Sequence, residues 1–99
     1  MKDLGINQQE LANILSIFRN HPEIKKVILF GSRAKGTARP NSDIDLAVDG
    51  VGGSLQIEAL AMELDELALP YKFDVQSLAG IRNPALADDI ARVGIEIYP

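Results

Sequence analysis

Leu11, Ile14, Leu15 and Phe18 recur at steps of three and four residues, the spacing of one helix face, and predict a helix over residues 8–20. Asn7 with Glu10 three positions later marks its start as a capping box, and His21-Pro22 marks its end. The run Lys26–Phe30, KVILF, is short, apolar and rich in β-branched and aromatic residues, the signature of a buried strand. From 43 to 49 the period falls to two. Ile44, Leu46 and Val48 point one way; Asp43, Asp45, Ala47 and Asp49 point the other. Gly50, Gly52 and Gly53 break this strand, and Asp49 reads as its turn residue. Ser54 is then placed to cap a helix over 55–69, closed by Pro70. Phe73 and Val75 alternate with Asp74 and Gln76, which predicts a strand over 72–77. Asn83-Pro84, a cap followed by proline at the first helical position, opens a helix to about Val93, with Gly94 as its stop. Ile95–Tyr98 is a candidate edge strand.

The strand at 43–49, the helix at 55–69 and the strand at 72–77 form a right-handed βαβ unit with parallel strands. The connection from 30 to 43 is too short for a helical crossover, so the first strand should pair antiparallel. No repeat or linker interrupts the 99 residues. The expected fold is therefore a single α/β (α+β) domain over 1–99, a small mixed sheet flanked by helices.

Composition removes several classes of function. No apolar run approaches the roughly 20 residues needed to cross a bilayer, and MKDLGINQQE contains no apolar signal core. There are no cysteines, so neither disulfides nor thiolate metal sites arise, which fits the cytoplasm. The net charge is -4, and the densest basic group is only Arg33, Lys35 and Arg39. That cannot track a polymer backbone, so long nucleic acid is not an expected partner, but it can meet a few phosphates. His21, a lone histidine before proline, is given no catalytic part. Asp88-Asp89 and Asp65-Glu66 read as solvated helix faces.

The stretch GSRAKGTARPNSDIDL, residues 31–46, carries the candidate chemistry. Asp43 and Asp45 share a strand face, with Cβ atoms roughly 7 Å apart from a rise of ~3.3 Å per residue. Asn41-Ser42-Asp43 alone would be ordinary turn chemistry, but aspartate is depleted inside strands, where Asp45 and Asp74 stand. If Asp74 lies on an adjacent strand, three carboxylates converge, and like charges that close need a counter-charge. All-oxygen ligation favours Mg²⁺ or Mn²⁺, and carboxylates bridging two metals suit in-line phosphoryl transfer. Gly31 can aim successive N–H groups at one point, and Ser32, opening a helical turn around Arg33–Lys35, lies where a phosphate would be held. Arg33 and Lys35 add positive charge. The run is not a Walker A loop, because the lysine after the second glycine is missing.

Gly31-Ser32, ten residues, then Asp43-Ile44-Asp45 resembles the G-S-x10-D-x-D signature of the DNA polymerase β-like nucleotidyltransferase superfamily. The fuller string GSRAKGTARPNSDIDLAV is similar to the minimal nucleotidyltransferases, which pair with HEPN-domain proteins. The resemblance implies that Gly31 and Ser32 hold the phosphates of ATP or another nucleoside triphosphate. It implies that Asp43, Asp45 and Asp74 are catalytic and ligate two Mg²⁺ ions (or Mn²⁺), with Asp74 activating the attacking hydroxyl. Arg33 and Lys35 join the phosphate contacts by charge alone. The implied activity is transfer of a nucleotide, AMP from ATP, to a hydroxyl of a HEPN-domain partner, as the antitoxin of a toxin-antitoxin pair. The alternative is a non-catalytic antitoxin that neutralises its partner by binding. So small a domain should need its acceptor to complete the site.

The helix at 55–69 shows two apolar stripes. Ile57, Leu60, Ala61, Leu64 and Leu67 suffice to pack on a sheet. Leu55, Ala59, Met62 and Leu69 form a second, expected to meet a homo-oligomer or protein partner.

Overall fold

The computed structural model describes residues 5–37, 39 and 42–99. Helix α1 spans Gln8–Arg19, β1 Lys26–Phe30, the four-residue α2 Ser32–Lys35 and β2 Ile44–Asp49. Helix α3 spans Ser54–Asp65, β3 Phe73–Ser77, α4 Pro84–Val93 and β4 Ile95–Tyr98, with a 3-10 turn at Leu78–Gly80. The four-stranded sheet has the order β3-β2-β1-β4. β1 is antiparallel to both β2 and β4, and β2 is parallel to β3. The mixed sheet, the antiparallel first pair and the βαβ unit all match the expectation from sequence.

Local chemistry explains most of the element starts. At α1 the Asn7 Oδ1 accepts from the Glu10 N–H at 2.7 Å, and the Asn7 N–H donates to Glu10 Oε1 at 3.2 Å. Two donors that an open helix end would leave without partners are thereby satisfied. At α4 the Asn83 Oδ1 accepts from Ala85 and Leu86, and Pro84 occupies the first turn.

Helix α3 departs from the sequence reading at both ends. Gly53, not Ser54, is the cap, and the Gly53 carbonyl accepts from Ile57 N–H. The helix stops at Asp65 rather than 69. Its last bonds tighten to Leu67 N–H on the Leu64 carbonyl and Ala68 N–H on the Asp65 carbonyl, and Ala68 adopts φ 55. The helix propensity of Leu67, Ala68 and Leu69 would continue the helix up to Pro70. Packing overrides it: the turn brings Leu67 and Leu69 onto the core and returns the chain to start β3. Leu69 therefore leaves the second stripe.

The two faces of the sheet bury different sets of residues. Val27 and Leu29 of β1 and Ile44, Leu46 and Val48 of β2 join Ile14 and Phe18 of α1 and Leu60 and Leu64 of α3 in the main core. Each fully buried aliphatic side chain here contributes about 1.5–3 kcal/mol. On the opposite face Phe30 and Ala47 pack with Ile90 of α4 in a smaller cluster. Among the described residues no helix is long and apolar enough to cross a membrane.

Candidate functional site

The alternation of β2 that puts Leu46 into the main core turns Asp45 to the opposite face. The strand register then places Asp45 between Phe30 of β1 and Asp74 of β3. Asp43, two residues before Asp45, has the same parity at the entrance of β2. Asp43 and Asp74 are exposed, while Asp45 is half-buried. The three sequence-predicted carboxylates thus meet at one end of one face.

Their charges conflict. Burial pushes the Asp45 carboxyl above its ordinary value, and the neighbouring charges of Asp74 and Asp43 push it the same way. Hydrogen-bonding proximity of the Asp74 side chain adds to the rise of Asp45. The Arg33 charge works in the other direction. An all-oxygen donor set with unrelieved negative charge is the kind of site a hard divalent cation neutralises. Among the described residues no three acidic or histidine side chains are grouped closely enough to hold a metal ion as they stand. Asp45 and Asp74 touch, and Asp43 stands one pleat away.

Gly31 lies directly against Asp45. It takes φ 77 and ψ -155 as it leads β1 into α2, a region open essentially to glycine. A Cβ there would collide with the Asp45 carboxylate. Ser32 is the first residue of α2, so the glycine-serine turn and the D-x-D strand are packed against each other rather than merely near in sequence. The Lys35 N–H returns to the Gly31 carbonyl at 3.2 Å, and the Thr37 N–H to the Ser32 carbonyl at 3.0 Å.

Arg33 does not stand where its charge suggested. It is 1% exposed, and its guanidinium turns into the protein instead of toward an open phosphate position. It donates to the Ser42 carbonyl at 2.7 Å and to the Gly5 carbonyl at 3.2 Å. Its guanidinium also lies 4.7 Å from the centroid of the Tyr71 ring, a cation–π contact. Arg33 thereby holds the carbonyl immediately before Asp43 and the segment leading into β3. Gly5, at φ 72, allows this approach, since a Cβ would meet Nη1 of Arg33 at 2.6 Å. Tyr71 donates to Glu10 Oε1 at 2.8 Å, which raises the Tyr71 phenol above its usual range, helped by burial. Glu10, the capping residue of α1, thus also ties α1 to the approach to β3.

Lys35 reaches α4, with Nζ 3.3 Å from Asp89 Oδ2. It remains at the surface and anchors α2 to α4 as well as carrying charge beside the site. Ser42 accepts from the Arg39 N–H through its hydroxyl at 2.9 Å and donates its own N–H to the Arg39 carbonyl at 3.0 Å. Asn41, read from sequence as part of this turn, lies outside the described residues. His21, given no catalytic part, bridges Glu23 and Glu63 at 3.2 and 2.7 Å, linking the end of α1 to α3. Sequence reasoning missed Arg33 as a clamp and Tyr71 and Gly5 as its partners. They are 38 and 28 residues from it, and no local pattern joins them.

A cavity of about 350 Å³ opens at the other end of β3, lined by Gly53, Ser54, Ile57, Glu58, Gln76 and Ser77 among others. None of the candidate site residues lines it.

The polymerase β nucleotidyltransferase family model matches residues 12–99, which includes every candidate carboxylate and the glycine-serine turn. A chain of a toxin-antitoxin complex solved with AMP-PNP superposes with a TM-score of 0.75 at 27% identity, covering 89% of this chain and 72% of that one. A protein described as a proposed minimal nucleotidyltransferase gives 0.69 at 32% identity, covering 89% of both chains. A complex of a tri-AMPylated Shewanella oneidensis HEPN toxin with an MNT antitoxin gives 0.69 at 24% identity, covering 92% and 71%, and shares the fold. Comparison with curated proteins finds no match.

Proposed function

The chain belongs to the polymerase β nucleotidyltransferase family, and from that premise we propose that it transfers AMP from ATP to a hydroxyl of a partner protein. The partner in this reading is a HEPN-domain toxin, and this chain is its antitoxin in the cytoplasm. The observation that carries the reading is the register that sets Asp45 beside Asp74, with Asp43 on the same face and Gly31 pressed against Asp45. The similarity to a toxin-antitoxin chain solved with AMP-PNP supports both the nucleotide and the pairing.

Asp43, Asp45 and Asp74 are the residues that would hold Mg²⁺, as two ions, with Mn²⁺ as a substitute. When bound, the metal neutralises the carboxylates and draws electron density from the phosphates. Gly31 and Ser32 orient the β- and γ-phosphates at the opening of α2. Asp74, exposed at the outer strand, accepts the proton of the acceptor hydroxyl. The hydroxyl oxygen forms a bond to the α-phosphorus while the bond to the β-phosphate oxygen breaks, and pyrophosphate leaves in line. Arg33 touches none of the reacting atoms in this reading. It positions Asp43 through the Ser42 carbonyl.

The test is incubation of chain and partner with α-labelled ATP and Mg²⁺. Asp43→Asn and Asp45→Asn should each abolish labelling of the partner without unfolding the chain. Undiminished labelling by both would overturn the assignment. Loss of labelling with full neutralisation of the toxin would show that binding, not transfer, is the antitoxic act.

A further inference from the structure

The outward side of α3 is unlike the rest of the molecule. Leu55 is 80% exposed and Met62 64%, and Ala59 between them is also exposed. With about 100° per residue these three lie on one side of the helix, opposite Leu60 and Leu64 in the core. Glu58, Asp65 and Glu66 interleave with them, and Glu63 flanks them. Residues 54–69 contain these four acids and no lysine or arginine. The chain has 14 acidic and 10 basic residues, so removing this segment leaves ten of each. The whole net charge of -4 resides on α3 and its closing turn.

We propose that this face docks a basic amphipathic helix of a protein partner, apolar along its centre and lysine- or arginine-rich at its rims. The inference extends the reading of a protein acceptor to the surface that holds it. Charge selects among occupants. A second copy of the chain in a symmetric contact would set these acids against themselves, which costs affinity. An anionic membrane is disfavoured for the same reason, since surface-binding helices carry lysine and arginine. A basic helix meets both features at once, seating apolar anchors on Leu55 and Met62 within a complementary acidic rim. His21, on Glu63 at 2.7 Å, is the basic group that contacts this acidic set among the described ion pairs, and it leaves Glu58, Asp65 and Glu66 to the partner. Helix α3 packs against β3, the outer strand that carries Asp74. The carboxylates lie on the opposite face of the sheet, so a partner held on α3 reaches them around the edge of β3.

The probe is a synthetic 18-residue peptide with leucines at i, i+3, i+4 and i+7 spacing and lysines elsewhere. Its control has every lysine replaced by glutamate. By fluorescence anisotropy the lysine peptide should bind the wild-type chain, more weakly as salt rises, and the control should not. Leu55→Ser with Met62→Ser should weaken binding at least tenfold, and Glu58→Gln with Glu66→Gln should flatten the salt dependence. Both pairs are at the surface, and circular dichroism verifies the fold. Equal binding by the serine double variant, or equal binding of the two peptides, would overturn the proposal. So would a wild-type dimer in sedimentation equilibrium that Met62→Asp dissolves, because a second copy would then occupy the face. The peptide assay contains no nucleotide, so its failure leaves the transfer reading intact. Conversely, Asp45→Asn should bind the peptide like wild type even if transfer proves wrong.

Discussion

The two faces of the sheet are made by the same strands and read alternate residues, yet they do opposite things. Under α1 and α3, β1, β2 and β3 all contribute aliphatic or aromatic side chains, and the charges are kept out. Under α4, Phe30 and Ala47 are buried, and neighbouring positions on that face go to Asp45 and Asp74. The covered face supplies the free energy that the other face consumes. Carboxylates held in mutual repulsion persist only because the strands that carry them are fixed from behind.

The sharpest break in this comparison is at Asp45. Asp45→Asn should lower transfer by at least a thousandfold, about 4 kcal/mol of barrier, while its melting temperature without metal does not fall. One residue along, Leu46→Ala should do the reverse. It should cost about 2–5 kcal/mol of stability by urea unfolding, as a buried leucine loses contacts and leaves a cavity, with the surviving folded fraction still active. Gly31→Ala joins the two faces' concerns. Its strained backbone should cost about 1–3 kcal/mol, and the displaced Asp45 should cut transfer by more than tenfold in the same labelling assay.

Acidity sharpens the contrast with a smaller effect. Asp45 is raised above its ordinary 3.8, so in the window just above that value the folded state keeps a proton the unfolded state has released. Stability without metal should therefore fall as pH rises through this window and stay at the lower level beyond it. Asp45→Asn should remove that contribution in thermal melts run from about pH 4 upward, and added Mg²⁺ should suppress it in the wild type by stabilising the ionised form. The smallest effect belongs to Lys35. Its pair with Asp89 is solvent-accessible on both sides, and Lys35→Met should change stability by less than about 0.5 kcal/mol in urea.

Much of this contrast was legible in the chain. Period-two alternation through IDLAVD and FDVQ determined which residues oppose the core, and the capping residues Asn7 and Asn83 marked two helix starts. The G-S-x10-D-x-D spacing tied a loop to a strand that the fold packs together. What failed was whatever depended on direction or on distant contacts. Arg33 was read from its charge as a phosphate ligand, but charge does not say which way a side chain faces. Its partners Gly5, Ser42 and Tyr71 are assembled by tertiary structure. The end of α3 was set too late because Leu67, Ala68 and Leu69 favour helix locally, whereas burial of Leu67 and Leu69 favours a turn. The second stripe lost Leu69 for that reason, and its remaining members gained meaning only beside the distribution of charge.

The parallel register of β2 and β3 has a consequence for how such a chain changes over time. Asp74 lies between Phe73 and Val75, and both pack on the main core. A slip of one residue would expose those two side chains and turn the aspartate inward. Any sequence that still closes its core at β3 therefore presents a residue at position 74 to Asp45, whether or not chemistry is being maintained. The hydrophobic interior acts as a proofreader for the outer face. The identities of the surface residues can drift while the position that faces Asp45 is preserved by packing alone.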